Sequence, residues 1–162
     1  MVLTLVPRAE LPGGEQISMN DNLRRQFVDT NVLVYAHDIS AGIKHEKARD
    51  LILSLWDSRR GCISLQVLQE FYVTIVQKVA KPVAPETAAR IIADLGQWTL
   101  HVPDVEDVLE AIEIQQRNEL SFWDSLIICS AKKLGCDVIW TEDLNTGQRY
   151  EGVVVLNPFH LD

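Results

Sequence analysis

Two hydrophobic periods alternate along this chain. Short, continuous apolar runs predict buried strands at the start of 26–35, at Cys62-Ile63-Ser64, at 98–102, at Val138-Ile139-Trp140 and at Val153-Val154-Val155-Leu156. Between them, apolar residues recur at helical spacing. Ala48, Leu51, Ile52 and Leu55 predict a helix over 44–59, closed by Gly61. A second helix is expected over 65–79, stopped by the Lys81-Pro82 step, because the residue before a proline is pushed out of helical geometry. Ala88, Ile91, Ile92 and Leu95 mark a helix that opens at Pro85, and Val105, Val108, Leu109 and Ile112 mark one capped by Asp104. The last helix starts at the cap Ser121 and ends at Leu134-Gly135.

Strands that alternate with helices in this way imply an α/β domain with a parallel sheet covered on both faces. Ligands of such sheets gather at the carboxyl ends of the strands. Asp29 follows a predicted strand directly, and so does the stretch from Thr141 to Asp143, so both belong on that edge. Nothing divides residues 23–162, which are expected to form one domain. Residues 1–22 differ: they show no clear period and hold Pro7, Pro12, Gly13 and Gly14, and Met19 sits just ahead of the first strand signal. They are expected to be a loose N-terminal extension.

Composition narrows the class. The chain of 162 residues is long enough for one sizeable core, and its 47 % hydrophobic content is that of a soluble globular protein. No apolar run approaches the ~20 residues that span a bilayer, and no secretion-type segment opens the chain, so no membrane association and a cytoplasmic location are expected. Cys62, Cys129 and Cys136 each lie in or beside an apolar segment without a Cys-x-x-Cys pair, which reads as buried free thiols. The four histidines show no zinc spacing. A net charge of −8 argues against a protein that grips nucleic acid with its whole surface, and suits a basic protein partner. It does not exclude a nuclease whose metal site supplies local positive charge.

Four acids stand out by their settings: Asp29 in Phe27-Val28-Asp29-Thr30-Asn31, Glu70 in Leu68-Gln69-Glu70-Phe71, Asp124 in Ser121-Phe122-Trp123-Asp124, and Asp143 in Trp140-Thr141-Glu142-Asp143. Each has an ordinary explanation. Asp29 suits a turn at a strand end, Glu70 a helix surface, Asp124 a capping box with Ser121, and Asp143 a polar loop. Four anions drawn together would need a cation, since two carboxylates ~4 Å apart repel by roughly 4 kcal/mol at an effective dielectric of 20.

In order, the segments Phe27-Val28-Asp29-Thr30-Asn31-Val32-Leu33-Val34-Tyr35-Ala36, Ile63-Ser64 with Gln66-Val67-Leu68 and Glu70-Phe71, Phe122-Trp123-Asp124-Ser125-Leu126-Ile127, and Thr141-Glu142-Asp143-Leu144 resemble the successive motifs of PIN-domain proteins. The nearest group is the VapC-like toxin nucleases of type II toxin–antitoxin systems, and the resemblance covers about residues 26–160. It implies a three-layer α/β/α domain around a parallel five-stranded sheet, and an endoribonuclease that uses Mg²⁺ or Mn²⁺. Cleavage would leave a 3′ hydroxyl and a 5′ phosphate.

The resemblance carries the catalytic acids onto Asp29, Glu70, Asp124 and Asp143. Asp29 and Asp124 would be the principal metal-binding groups, with Glu70 and Asp143 orienting water or a second metal. Thr141 and Asn31 would support the site. Glu142 competes with Asp143 for the fourth acidic place, and the family pattern Ser/Thr-x-Asp favours Asp143. Magnesium's taste for oxygen ligands and retained waters fits one or two direct carboxylates with the others outside. The resemblance also implies an RNA substrate, a small antitoxin partner and a homodimer.

For RNA contacts the basic residues Lys44, Lys47, Arg49, Arg59 and Arg60 of the first long helix are candidates, beside the plainer reading of a solvated face. Trp123 and Tyr35 could stack bases or simply pack. Two rivals stay open: a PIN-fold binding module that no longer cleaves, and a PIN RNA-processing nuclease that is not a toxin. A haloacid-dehalogenase-type phosphatase needs Asp-x-Asp where this chain has Asp29-Thr30-Asn31, and a receiver domain needs an acidic pair at its first strand and a late lysine; neither pattern is present.

Overall fold

The computed structural model describes residues 24–160, so the expected N-terminal extension lies outside the described residues. In chain order the elements are β1 (Arg25–Val28), α1 (Thr30–His37), α2 (Ile43–Ser58), β2 (Gly61–Ser64), α3 (Leu65–Gln77), α4 (Pro85–Leu95), β3 (Thr99–His101), α5 (Val105–Asn118), α6 (Phe122–Lys133), β4 (Cys136–Trp140), β5 (Arg149–Tyr150) and β6 (Val153–Leu156). A short 3₁₀ turn at Ile39–Ala41 joins α1 to α2.

All six strands form one sheet in the order β3-β2-β1-β4-β6-β5. The first five neighbours run parallel, and β5 adds an antiparallel pair at the edge, Arg149 opposite Val154 and Tyr150 opposite Val153. The expected five-stranded parallel sheet is therefore present, extended by one two-residue strand that no apolar run announces. Helices α1 to α4 pack on one another, while α5 packs on α6, which lies against β2 and β4. Phe27, Ile63, Ile139 and Val155 are wholly buried between these layers. Burial on both faces is why these strands read as continuous apolar runs instead of alternating ones. Cys62, Cys129 and Cys136 are free and buried, as expected. Among the described residues no helix is long and apolar enough to cross a membrane.

Two differences from the sequence reading have physical causes. Val32 to Tyr35, for which the sequence reading assigned no helix, belong to α1. Thr30, Val32 and Val34 are poor helix formers, but they are buried, and packing against α2 and α3 outweighs their weak preference. Helix α2 is closed by Arg59 in the left-handed conformation (φ 56°), not by Gly61. Gly61 serves another need: a Cβ there would come within 2.4 Å of the Trp98 ring, so only glycine lets Trp98 lie on β2.

Candidate functional site

Parallel register builds the site. Val28 pairs with Trp140, the final residues of β1 and β4, so the residues that follow them are neighbours. The Asp29 amide donates to the Trp140 carbonyl at 3.0 Å, and the Thr141 amide donates to the Leu156 carbonyl at 3.0 Å. Asp29 and Thr141 thus meet at the carboxyl edge of the sheet, where the topology places a ligand. Glu70 arrives from β2 by way of α3, whose first turn is capped by Ser64.

Asp29 performs two tasks. Its Oδ1 accepts the Thr30 amide at 2.7 Å as the N-cap of α1. Its Oδ2 accepts the Thr141 hydroxyl at 2.8 Å and the Asn31 side-chain amide at 3.3 Å. The same Asn31 Nδ2 donates to Asp143 Oδ2 at 2.8 Å, and Thr141 Oγ1 accepts the Asp143 amide at 3.1 Å. On the far side the Thr30 hydroxyl donates to Glu70 Oε2 at 3.3 Å. Five predicted residues, Asp29, Asn31, Glu70, Thr141 and Asp143, therefore form one network with Thr30.

Among the described residues, every donor to these carboxylates is uncharged. Asp29 is 7 % exposed, and burial, with added repulsion from Asp143 and Glu70, pushes its carboxyl up to about 7 despite the Thr141 and Thr30 hydrogen bonds that oppose the rise. The donor set, carboxylates with hydroxyl and amide oxygens, suits a hard divalent cation such as Mg²⁺ or Mn²⁺, and the uncompensated negative charge at Asp29 is what such an ion offsets.

Asp124 stands apart. Its amide donates to Ser121 Oγ at 3.0 Å, which makes Ser121 the N-cap of α6. The returning bond of a capping box is different from expectation: Asp124 Oδ2 accepts the Ser121 hydroxyl at 2.7 Å, not the Ser121 amide. No hydrogen bond joins Asp124 to the other three acids among the described residues. Gln66 lies between Glu70 and the helix that carries Asp124: its Nε2 donates to Glu70 Oε1 at 2.7 Å and lies 3.5 Å from the Trp123 carbonyl in the first turn of α6.

The two neighbours Glu142 and Asp143 separate cleanly. Glu142 accepts the Tyr35 hydroxyl at 2.7 Å and the Lys44 ammonium at 2.5 Å, whereas Asp143 turns to Asn31. Lys44 also sits over the Tyr35 and Phe159 rings, 4.7 and 5.2 Å from their centres. Lys44 is therefore at the site, but as the partner of Glu142. Arg59 and Arg60, also considered for RNA contact, sit at the end of α2 immediately before β2, on the opposite edge of the sheet from Asp29. Trp123 is exposed, so it is not a core residue, while Tyr35 is half-buried against Phe159. Sequence reasoning gave no role to Thr30, Gln66 or the Lys44–Glu142 pair. The i, i+4 spacing of Gln66 and Glu70 was the one available signal.

A second acidic group occupies the other side of the molecule. Asp107, Glu110 and Cys129 bring ligand-type atoms within 4.8 Å of one another, the one such trio among the described residues. Its charges are already matched: Asp107 pairs with His101 Nε2 at 3.1 Å and Lys133 at 3.3 Å, and Glu110 with Lys132 at 2.7 Å and Lys133 at 3.3 Å. Burial holds the Cys129 thiol up at about 12, so it stays protonated and is a poor ligand. This trio is an ion-pair network between α5 and α6.

No curated protein sequence matches this chain. Solved structures do share its fold. VapC20 of Mycobacterium tuberculosis, described as a sarcin–ricin-loop-cleaving toxin, superposes with a TM-score of 0.55 at 20 % identity, over 73 % of this chain and 91 % of that one. A toxin–antitoxin complex from Klebsiella pneumoniae gives 0.61 at 18 % identity, over 84 % and 99 %. DNA-bound VapBC from Salmonella typhimurium gives 0.60 at 18 % identity, again over 84 % and 99 %. A sequence model of the PIN domain matches residues 27–150, which span β1 through β5 and every residue of the carboxylate site, and so this chain belongs to the PIN-domain family.

Proposed function

We propose that this chain is a metal-dependent endoribonuclease and the toxin of a type II toxin–antitoxin pair, acting in the cytoplasm. The observation that carries the reading is Asp29: a buried carboxylate at the carboxyl edge of the sheet, linked to Asp143 and Glu70 through uncharged donors and held up by burial and by their repulsion. Asp29 and Asp124 would hold Mg²⁺ or Mn²⁺, with Glu70 and Asp143 acting through water. When bound, the ion supplies Lewis acidity toward phosphoryl oxygens and lowers the pKa of water. The protein does the positioning. Asn31 and Thr141 fix the Asp29 and Asp143 carboxylates relative to each other, Thr30 orients Glu70, and Glu70 and Asp143 can accept the proton of an attacking water.

The fold likeness to VapC and VapBC structures supports an RNA substrate and a small antitoxin partner. An exposed apolar stripe along α5, formed by Val105, Val108, Leu109 and Ile112, supports a homodimer, because apolar surface of this kind is seldom left uncovered. The test is RNA degradation with Mn²⁺ and then with EDTA. Cleavage only with metal supports the nuclease, and intact RNA in both conditions argues for a binding module. Growth arrest on expression, relieved by the product of an adjacent small gene, separates a toxin from an RNA-processing nuclease.

A further inference from the structure

Gln66 has two acceptors to satisfy and one nitrogen to do it with. It lies one helical turn before Glu70 on α3 and is 7 % exposed. Its Nε2 donates to Glu70 Oε1 at 2.7 Å and faces the Trp123 carbonyl at 3.5 Å. The amide orientation is dictated by chemistry: a carboxylate and a carbonyl both need a donor, so the NH₂ must face them and the carbonyl oxygen must face away. Gln66 Oε1 is indeed buried and unpartnered among the described residues. An unpaired buried acceptor is a cost that a leucine or methionine would not carry, and the donation to Glu70 is what offsets it.

Other residues hold Glu70 less firmly. The Thr30 hydroxyl reaches it at 3.3 Å, and the carboxylate is otherwise on an exposed part of α3. Asp124, in turn, has no bond to the other acids, and the first turn of α6 that carries it meets α3 at the Gln66–Trp123 contact.

We propose that Gln66 is a positioning residue of the carboxylate site: its side-chain NH₂ fixes Glu70 and ties it to the first turn of α6, which carries Asp124. The inference rests on the metal-dependent nuclease reading. Partners that orient a metal-binding carboxylate typically contribute about 10- to 100-fold in metal affinity. Q66M, which keeps the shape and removes the donors, is therefore expected to bind Mn²⁺ about 10-fold more weakly by calorimetry, with an unchanged melting temperature in EDTA. In RNA cleavage it lowers kcat and leaves KM for RNA in place. In an E70Q background the same change adds no further loss in Mn²⁺ affinity beyond about 2-fold, since the bond it removes has lost its purpose. Q66A, which removes the amide without adding bulk, takes its place if Q66M does not fold. Wild-type Mn²⁺ affinity in these variants, or a loss that simply adds to that of E70Q, overturns the role of Gln66 alone. A wild-type protein that neither binds Mn²⁺ nor cleaves RNA overturns the nuclease reading, and this inference with it.

Discussion

Two acidic clusters among the described residues are built on opposite principles. Between α5 and α6, Asp107 and Glu110 are surrounded by His101, Lys132 and Lys133, and Asp107 also closes a capping box with Asp104. Their carboxyls are held below the usual range: at Asp107 burial is outweighed by the hydrogen bonds from the Asp104 amide and Lys133 together with the nearby His101 and Lys133 charges, and at Glu110 the Lys132 hydrogen bond is the leading cause. At the carboxyl edge of the sheet, Asp29 meets Asp143 and Glu70 with only hydroxyls and amides between them, and its carboxyl is held up at about 7. The first cluster is neutralised by the chain itself. The second has hydroxyl and amide donors around it, with no lysine, arginine or histidine paired to it among the described residues. Proximity alone points to the neutralised cluster, whose ligand-type atoms form the one close trio among the described residues; charge balance points to the other.

The sharpest way to break this contrast is at the carboxylate edge. Asp124→Asn is expected to lower metal-dependent RNA cleavage by about 10²- to 10³-fold, the scale on which a single electrostatic stabiliser is lost, while circular dichroism stays that of the wild type. Full activity in that variant would remove Asp124 from the site.

A comparable effect is expected in stability against pH. Asp29 is harder to ionise in the folded chain than in the unfolded one, so the unfolded chain gives up this proton first as pH rises. Stability without metal is therefore full below pH 3.8, declines through the window from 3.8 to about 7, and has lost the whole contribution above it. The loss is at most ~4 kcal/mol. Melting in EDTA should fall across that window, added Mn²⁺ should raise it more at pH 8 than at pH 5, and Asp29→Asn should flatten the profile. A metal-free melting curve that is flat in the wild type as well would show that Asp29 carries no such strain.

At the other cluster the effect should be structural only. Asp107→Ala is expected to cost about 1–2 kcal/mol in chemical denaturation, the usual scale for a lost helix cap, with RNA cleavage per folded molecule unchanged. Altered metal dependence in this variant would mean that the neutralised cluster takes part in function. The smallest difference should separate the two adjacent acids. Glu142→Gln weakens a partly exposed pair with Lys44, worth about 0.2–1 kcal/mol, and should leave cleavage within a few-fold, whereas Asp143→Asn should lower it clearly. Equal losses would return Glu142 to contention.

How much of this was legible in the sequence depends on the range of the interaction. The alternation of strands and helices followed from local apolar period, and so did most helix boundaries, because caps such as Asp104 and Ser121 act within one turn. Helix α1 did not, since its β-branched residues prefer extended geometry and become helical only when buried against α2 and α3. Strand β5 did not either, because two residues carry no period.

The chain's sequence by itself determined the fold class, the carboxyl edge as the place for a site, and Asp29, Glu70, Asp124 and Asp143 as candidates with Asn31 and Thr141 in support. Only the tertiary structure decided how they are connected. Register between β1 and β4 puts Thr141 on Asp29, Lys44 and Tyr35 draw Glu142 aside, and Gln66 links Glu70 to the helix of Asp124. It also decided which acids are already paid for by cations. The reason is physical: residue type and spacing set what a side chain can do, but the charge balance around a carboxylate depends on groups more than a hundred residues away in the chain, as Asp29 and Thr141 are.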